Sequence, residues 1–194
     1  QDGVVEAIVL NSGGANCYTG SFGFQTTHQT AEAVAAKLGI GAGDVLVCST
    51  GLIGVGDQSF RDGVLRGVEL TADSLADTAE AGEEASLAIM TTDSKPKRSV
   101  REREGYVIGA MAKGAGMLAP GLATMLVVIT TDADLESAAL DRALRAATRV
   151  TFDRVDSDGC MSTNDQVTLM ASGASGVTPD ESAFTTVLTE VCAA

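Results

Sequence analysis

The feature that most constrains the fold is a short apolar run, Leu126–Ile129, that directly follows a loop rich in glycine. A run of this length with β-branched members is typical of a buried strand. The preceding segment, 113–121, carries one lysine and ends in Pro120-Gly121, a pair that favours a tight turn. Thr124 therefore lies where a flexible loop becomes a rigid strand, a position that fixes a side chain and leaves room for a ligand.

A threonine at such a position has one specific chemical use. A lone hydroxyl is a weak nucleophile, but an N-terminal threonine can use its own α-amino group as the base. That group has a pKa of about 7.7–8.0, close to the value wanted of a base at neutral pH. The Ala123–Thr124 bond would first have to break, and small Ala123 after Pro120-Gly121 allows the hydroxyl to approach the preceding carbonyl. In the simpler interpretation of the spacing alone, Thr124 only caps the edge of a core strand.

Three other positions are candidates for a site. A predicted strand over 45–48 ends at Thr50-Gly51, where a hydroxyl and a backbone N–H can form an oxyanion hole or merely a strand-to-loop turn. Lys113 is costly to bury without a partner, so it lies at the surface or meets a carboxylate of a ligand. Asp93 either receives an amine or caps its own loop, and the cap is the simpler interpretation.

Composition excludes several classes of function. The net charge of −13 disfavours binding to a phosphate backbone or an anionic membrane. Aromatic residues make up only 4% and tryptophan is absent, so platforms for stacking nucleic-acid bases are lacking. No apolar run approaches the ~20 residues of a membrane span, and no secretory signal precedes the first strand. We therefore expect a cytoplasmic location.

The histidine and cysteine patterns narrow the chemistry further. His28 is the only histidine, so a Ser–His or Cys–His relay would depend on this one residue. We expect it in the first turn of a helix, in a surface or capping role. The cysteines are far apart and form no Cys-x-x-Cys pair, which favours reduced thiols over disulfides or zinc: Cys17, Cys48, Cys160 and Cys192.

Strand and helix patterns alternate along the chain, which predicts an α/β (α+β) architecture with helices covering the sheets. With 45% hydrophobic residues, the 194-residue chain can bury a core as one domain or as a tightly joined pair. Strands are predicted at 4–10, 45–48, 99–103, 106–111, the run after Thr124 and 167–171. Helices are predicted at 26–38, 59–70, 79–89, 135–150, where Asp134 is the cap, and 179–194.

The segment from Lys113 to Leu126 resembles the self-processing segment of the ornithine acetyltransferases, also called glutamate N-acetyltransferases. The resemblance covers nearly all of the chain. Four further segments match the same family in the same order: Asn11-Ser12-Gly13-Gly14-Ala15-Asn16, Cys48-Ser49-Thr50-Gly51-Leu52-Ile53-Gly54, Ile89-Met90-Thr91-Thr92-Asp93 and Asp158-Gly159-Cys160-Met161-Ser162-Thr163-Asn164-Asp165.

This resemblance implies a fold, an activity and a set of site residues. The fold is a four-layer αββα sandwich of the DmpA/ornithine-acetyltransferase type, among the N-terminal-nucleophile enzymes. The activity is a ping-pong transfer of acetyl from N-acetyl-ornithine to glutamate, in arginine biosynthesis and without a metal or organic cofactor. The resemblance assigns the nucleophile to Thr124, the oxyanion hole to Thr50 and Gly51, substrate binding to Thr91, Lys113 and Thr124, and self-cleavage to the Ala123–Thr124 bond.

Cleavage there would divide the chain into two parts, residues 1–123 of an α subunit and 124–194 of a β subunit. The resemblance further implies that family segments are missing at both ends and that αβ units pair into a heterotetramer. Whether acetyl-CoA is a second donor stays open. So does the role of the polar cluster 162–165, which either lines the site or hydrogen-bonds the precursor loop.

Two rival interpretations remain at this point. One is an N-terminal-nucleophile amidohydrolase or aminopeptidase, in which water is the final acceptor. The other is an inactive fragment of the acetyltransferase, since the family also uses a glutamate and polar residues beyond Ala194. Gly121 departs from the Asn, Ser or Asp that is usual in the family, and we expect a looser loop and slower cleavage from it.

Overall fold

The computed structural model describes residues 3–194, except for the side chains of residues 122 and 123. Gln1 and Asp2, which begin the expected 1–123 subunit, lie outside the described residues. The chain divides into two compact units, and the division falls between Ile89 and Met90. The first unit is the part before this point and the second unit is the part after it.

The first unit is built on a strand–helix–strand motif. Strands β1 (Ala7–Asn11) and β2 (Val45–Ser49) pair in parallel, and helix α1 (Gly20–Leu38) is the crossover that parallel strands require. Helices α2 (Gln58–Asp73) and α3 (Ala79–Ala88) follow. The two strands end side by side, at Asn11 and Ser49. The core of this unit contains the buried residues Val34, Ala35, Val45 and Val68.

The second unit contains a four-stranded sheet covered by two helices. Its elements are, in chain order, β3 (Lys97–Arg103), β4 (Tyr106–Lys113), β5 (Leu118–Ala119), β6 (Leu122–Ala123), β7 (Leu126–Thr131), α4 (Ser137–Val150), β8 (Gln166–Ala171) and α5 (Glu181–Cys192). The sheet order is β3-β4-β7-β8, antiparallel between the first three strands and parallel between the last two. Strands β5 and β6 form a separate two-residue hairpin.

Strand β7 is the centre of the second unit. Five of its six residues are buried, which confirms the buried strand predicted after Thr124. Its side chains meet those of α4 and α5 in one apolar core, in which Ile129, Phe184 and Leu188 are fully buried. The ring of Phe184 lies 5.9 Å from that of Tyr106 on β4. The loop before β7 is therefore attached to a strand that is largely buried in this core.

Two predicted helix starts were wrong. Helix α1 begins at Gly20, six residues before the predicted start. The prediction missed its first turn because glycine, present at 20 and 23, has a low helix propensity. His28 consequently lies in the third turn and not the first. Helix α4 begins at Ser137, and Glu136 is its N-cap without a side-chain cap bond. Asp134 is not the cap; its backbone N–H donates to Val177 O instead, at 2.8 Å.

The strands predicted at 99–103 and 106–111 are present as β3 and β4. The hairpin between β3 and β4 turns at Glu104-Gly105, with φ of 47° and 90°, as a two-residue turn between right-twisted strands requires. Within residues 3–194, no helix is long and apolar enough to cross a membrane.

Candidate active site

The predicted cleavage bond lies at the end of the short β5–β6 hairpin. Leu118 pairs with Ala123 and Ala119 with Leu122, so Pro120-Gly121 forms the turn. Gly121 has a φ of 73°, as the third position of a Pro-Gly type II turn requires. Glycine adopts this conformation without strain, and Asn and Asp also tolerate it. The backbone of Ala123 ends β6, and its side chain is outside the described part of the chain.

The hydroxyl of Thr124 is the most unusual polar group of the second unit. Among the side chains that the structure describes, it is the one buried oxygen or nitrogen without a hydrogen-bond partner. Buried polar atoms are nearly always paired, so an exception in a folded protein calls for an explanation. The backbone N–H of Thr124 donates to Met117 O at 2.8 Å, and Met117 has a left-handed φ of 55°. The residue therefore has a fixed backbone and an uncommitted hydroxyl.

Asp158 hydrogen-bonds to Met117, the residue whose carbonyl oxygen accepts from Thr124 N. Its Oδ2 accepts from Met117 N at 2.8 Å and its Oδ1 from Cys160 N at 3.1 Å. These hydrogen bonds keep the pKa of the Asp158 carboxyl below its usual value. The neighbouring Ser157 N donates to Leu118 O at 2.9 Å. The loop around Asp158 is thus tied to Met117 and Leu118, where the hairpin begins.

The polar cluster 162–165 contains local hydrogen bonds. Asn164 N donates to Ser162 Oγ at 3.2 Å, and Thr163 Oγ1 donates to Asn164 Oδ1 at 2.9 Å. Ser162 is buried. The two roles considered for this cluster both stay predictions.

Asp93 is a buried carboxylate at the centre of a charge network near Lys113. Its side chain is fully buried, and its Oδ1 accepts from Gly114 N at 2.8 Å and from the Lys97 ammonium. Its Oδ2 accepts from Thr91 N at 3.3 Å. The cap predicted for Asp93 is confirmed, and the ion pair with Lys97 is an addition that the sequence pattern did not predict.

Lys113 is itself buried, with 3% of its surface exposed, so the surface alternative for this lysine was wrong. Burial lowers the pKa of its ammonium; the negative charge of Asp93 opposes this shift, and the positive charge of Lys97 adds to it. Burial alone would raise the pKa of Asp93. The hydrogen bonds from Lys97, Gly114 and Thr91 outweigh burial and keep that pKa below its usual value.

Gly114 connects this network to Thr124. Its φ is 151°, and a β-carbon added there would lie 2.9 Å from Thr124 O and 3.2 Å from Met125 Cβ. Only glycine allows the two backbones to come so close. The structure therefore brings together the second-unit candidates: Thr91 and Gly114 share one carboxylate, Lys113 directly precedes Gly114, and Gly114 contacts the backbone of Thr124.

Thr50 and Gly51 lie in the first unit, after β2. Thr50 is buried, and its N–H donates to Asn11 O at 3.0 Å. Gly51 has a φ of 128°, and a β-carbon there would lie 2.6 Å from the carbonyl carbon of Gly13. This position therefore requires glycine. The role of the pair towards Thr124 stays a prediction.

Three other candidate nucleophiles or bases are poorly suited to catalysis. Burial raises the pKa of the Cys48 thiol to about 11 and that of the Cys192 thiol to about 12. Both are therefore almost entirely protonated at neutral pH and weak nucleophiles. His28 is exposed, its Nδ1 lies 3.0 Å from Phe24 O, and its ring contacts that of Phe24 in a tilted arrangement.

Sequence reasoning missed the roles of Asp158 and Lys97. Asp158 was visible only as part of a family motif, because a loop 41 residues away from Met117 gives no local pattern. Lys97 stands four residues after Asp93 and begins β3, two residues before the predicted start of that strand. The spacing of Asp93 and Lys97 was the one available signal.

Comparisons with known proteins identify the family of this chain. The whole chain, residues 1–194, matches the ArgJ family. It is 65% identical over 192 residues to the arginine biosynthesis bifunctional protein ArgJ of Streptomyces coelicolor, covering 99% of this chain and 49% of that protein. The ArgJ protein of Mycobacterium leprae is 54% identical over 196 residues, with 98% of this chain and 48% of that protein covered. The chain thus spans about half the length of these curated relatives.

A solved structure supports the same assignment. The ornithine acetyltransferase of Mycobacterium tuberculosis, complexed with ornithine, is similar to this chain with a TM-score of 0.50 and 47% sequence identity. The likeness covers 60% of this chain and 62% of that one. It confirms the expected α/β fold class of the ornithine-acetyltransferase type. With a family match over its whole length, the chain belongs to the ArgJ family.

Proposed function

We propose that the full-length gene product carrying this chain is an acyltransferase that moves the acetyl group of N-acetyl-ornithine to glutamate through Thr124. The observation that carries this proposal is the buried, unpaired hydroxyl of Thr124. A buried hydroxyl without a partner costs stability, and it is available for the hydrogen bond to a base that activates a nucleophile. The ornithine complex of the M. tuberculosis relative supports the choice of amino-acid substrate.

Self-cleavage makes the catalyst. Thr124 Oγ attacks the carbonyl carbon of Ala123, the C–N bond breaks, and the hydroxyl proton ends on the nitrogen of Thr124. Water then hydrolyses the resulting ester, which leaves a carboxylate on Ala123 and a free α-amino group on Thr124. Met117 O, which accepts from this nitrogen at 2.8 Å in the uncleaved chain, would also accept from the freed amino group.

The two products of cleavage would stay together. Strands β4 and β7 lie on opposite sides of the cleavage bond in the chain and are paired over six residues, from Ile108 with Thr131 to Lys113 with Leu126. This pairing is backed by the apolar core of the second unit. The assembly of such αβ units into a heterotetramer is a further part of the proposal.

Acetyl transfer then takes two steps. The α-amino group of Thr124 takes the hydroxyl proton while Oγ attacks the acetyl carbonyl, and ornithine leaves with that proton on its amine. The amine of glutamate attacks the acetyl-threonine ester, and Thr124 recovers its proton as N-acetyl-glutamate leaves. Lys113 and Thr91 would hold the amino-acid end of the substrate. Thr50 and Gly51 would stabilise each oxyanion.

The test uses three versions of the full-length gene product: the wild type, Thr124→Ala and Thr124→Ser. We expect the wild type and the serine variant to separate into two chains on a denaturing gel and the alanine variant to remain one chain, because only alanine lacks a hydroxyl. Transfer of labelled acetyl from N-acetyl-ornithine to glutamate should likewise occur in the wild type and the serine variant and be absent in the alanine variant. Cleavage of the alanine variant, or release of labelled acetate faster than labelled N-acetyl-glutamate, would contradict the proposal.

A further inference from the structure

We propose that Asp93 is a positioning residue for the amino-acid substrate: its buried carboxylate joins the Thr91 segment to the Gly114 segment, so that Thr91 and Lys113 are presented as a pair. This inference rests on the proposed function, because it takes Thr91 and Lys113 as the groups that hold the substrate. It assigns to Asp93 a role that neither the family motif nor the sequence pattern gave it.

The first support is geometric. Asp93 is fully buried and accepts hydrogen bonds through both of its oxygens, from the backbones on two separate segments. A carboxylate is rarely buried in this way unless its charge is compensated. Here the compensation comes from two backbone N–H groups and the Lys97 ammonium. Removal of the carboxylate would leave the Gly114 N–H, which is buried, without this acceptor.

The second support is the position of Gly114. This residue directly follows Lys113 and lies against the backbone of Thr124. A β-carbon added at Gly114 would be 2.9 Å from the carbonyl oxygen of Thr124. A shift of Gly114 would therefore move the lysine and the nucleophile relative to each other. A misplacement of about 1 Å can cost about 10²-fold in rate. Asp93 acts through these neighbours and needs no contact with the substrate.

The third support is electrostatic. Among the described residues, the charged groups that act on the Lys113 ammonium are Asp93, from the segment after α3, and Lys97, from β3. Asp93 raises the pKa of Lys113 against the effect of burial, whereas Lys97 lowers it. Asp93 thus favours the charged form of Lys113, the form that can hold a substrate carboxylate.

This opposition of charges gives a test with matched variants. In the full-length gene product, Asp93→Asn removes the negative charge and Lys97→Met removes the positive one, with side chains of similar size. We expect the pKa of Lys113 to fall in D93N and to rise in K97M. Lysine labelled with ¹³C at Cε reports this pKa by NMR without any need for activity, and Lys113→Arg identifies the resonance.

A kinetic measurement tests the positioning role. We expect the KM for N-acetyl-ornithine to rise about 10–100-fold in D93N, the loss typical of a hydrogen-bonded charged group, and the alkaline limb of kcat/KM to move to lower pH. Asp93→Glu, which keeps the charge, should recover part of both. A merely structural role would lower the amount of folded enzyme without moving either the pH limb or the lysine resonance.

The outcomes separate the two proposals. If the wild type transfers acetyl but D93N leaves the pKa of Lys113 unchanged, or moves it in the same direction as K97M does, the role of Asp93 is wrong. If the wild type transfers no acetyl while the two variants shift the lysine in opposite directions, the electrostatic link holds and the proposed function is wrong.

Discussion

Gly114→Ala is the substitution whose cost can be worked out most fully from this structure. The backbone at this position has a φ of 151°, where an L-residue is strained by about 1–3 kcal/mol. The added β-carbon would lie 2.9 Å from Thr124 O and 3.2 Å from Met125 Cβ. Neither atom can move away easily, because Met125 leads into β7, and overpacking of this kind costs a further ~1–3 kcal/mol. We expect a loss of about 2–6 kcal/mol of unfolding free energy in total.

Gly121→Ala is the matched control. Gly121 is also left-handed, with a φ of 73°, but an added β-carbon would meet nothing within 4 Å. Its loss should therefore be limited to the conformational cost of about 1–2 kcal/mol. Urea unfolding of the full-length gene product, followed by circular dichroism, measures both losses. Both substitutions should be made in the Thr124→Ala background, so that self-cleavage does not alter the unfolding transition.

The comparison has a clear refuting result. If the two variants differ by less than about 0.5 kcal/mol, the size of an ordinary surface effect, Gly114 is not packed against the backbone of Thr124. The chain of contacts from Asp93 to the nucleophile would then be wrong. In a background that retains Thr124, G114A should also slow self-cleavage more than G121A does.

Three further predictions concern the rest of the site. Gly51→Ala should prevent folding of the first unit or cost about 3 kcal/mol or more of unfolding free energy by strain and overpacking. Gly54→Ala, whose β-carbon would lie 3.8 Å from its nearest contact, should cost about 1–2 kcal/mol. Urea unfolding measures both losses, and equal losses would contradict the close approach of Gly51 to Gly13. Asp158→Ala should slow the appearance of the two cleaved chains in a time course on denaturing gels. Asp156→Ala, which loses only the bond to Gly159 N, should cleave at the rate of the wild type. The reverse order would show that Asp158 does not hold the cleavage segment. Because the folded-state pKa of Asp93 is lowered, the stabilising effect of its carboxylate is complete above the unfolded pKa of about 3.9 and is lost as the pH falls through the folded-state pKa. The urea midpoint should therefore depend less on acid pH in D93N than in the wild type. An unchanged pH dependence would contradict the lowered pKa.

The sequence predicted the strand that positions Thr124 well, because a short apolar run in a buried strand has a strong local pattern. Leu126–Thr131 is buried at five of six positions, and the Pro120-Gly121 turn before it has the conformation that these residues favour. The same local logic failed for α1, where glycines at 20 and 23 lowered the helix propensity and packing of the following residues, Val34 and Ala35, decided the structure.

The contacts around the site were less predictable. Asp93 with Gly114 and Asp158 with Met117 join residues 21 and 41 positions apart, and no periodicity connects such distant residues. The burial of Lys113 could not be read from its neighbours either, because it depends on a counter-charge that lies in another segment. The unpaired hydroxyl of Thr124 is also a property of the packed structure, since the sequence predicts the residue and not its partners.

The most direct test of the account is a single-turnover experiment on the full-length gene product with N-acetyl-ornithine and no glutamate. Acid quenching followed by mass spectrometry of peptides shows which residue carries the acetyl group. We predict a second chain that begins at Thr124 and is acetylated as an ester on that threonine, with one ornithine released for each acetyl bound. An intact Ala123–Thr124 bond in an active enzyme, or an acetyl group on any other residue, would contradict the central claim.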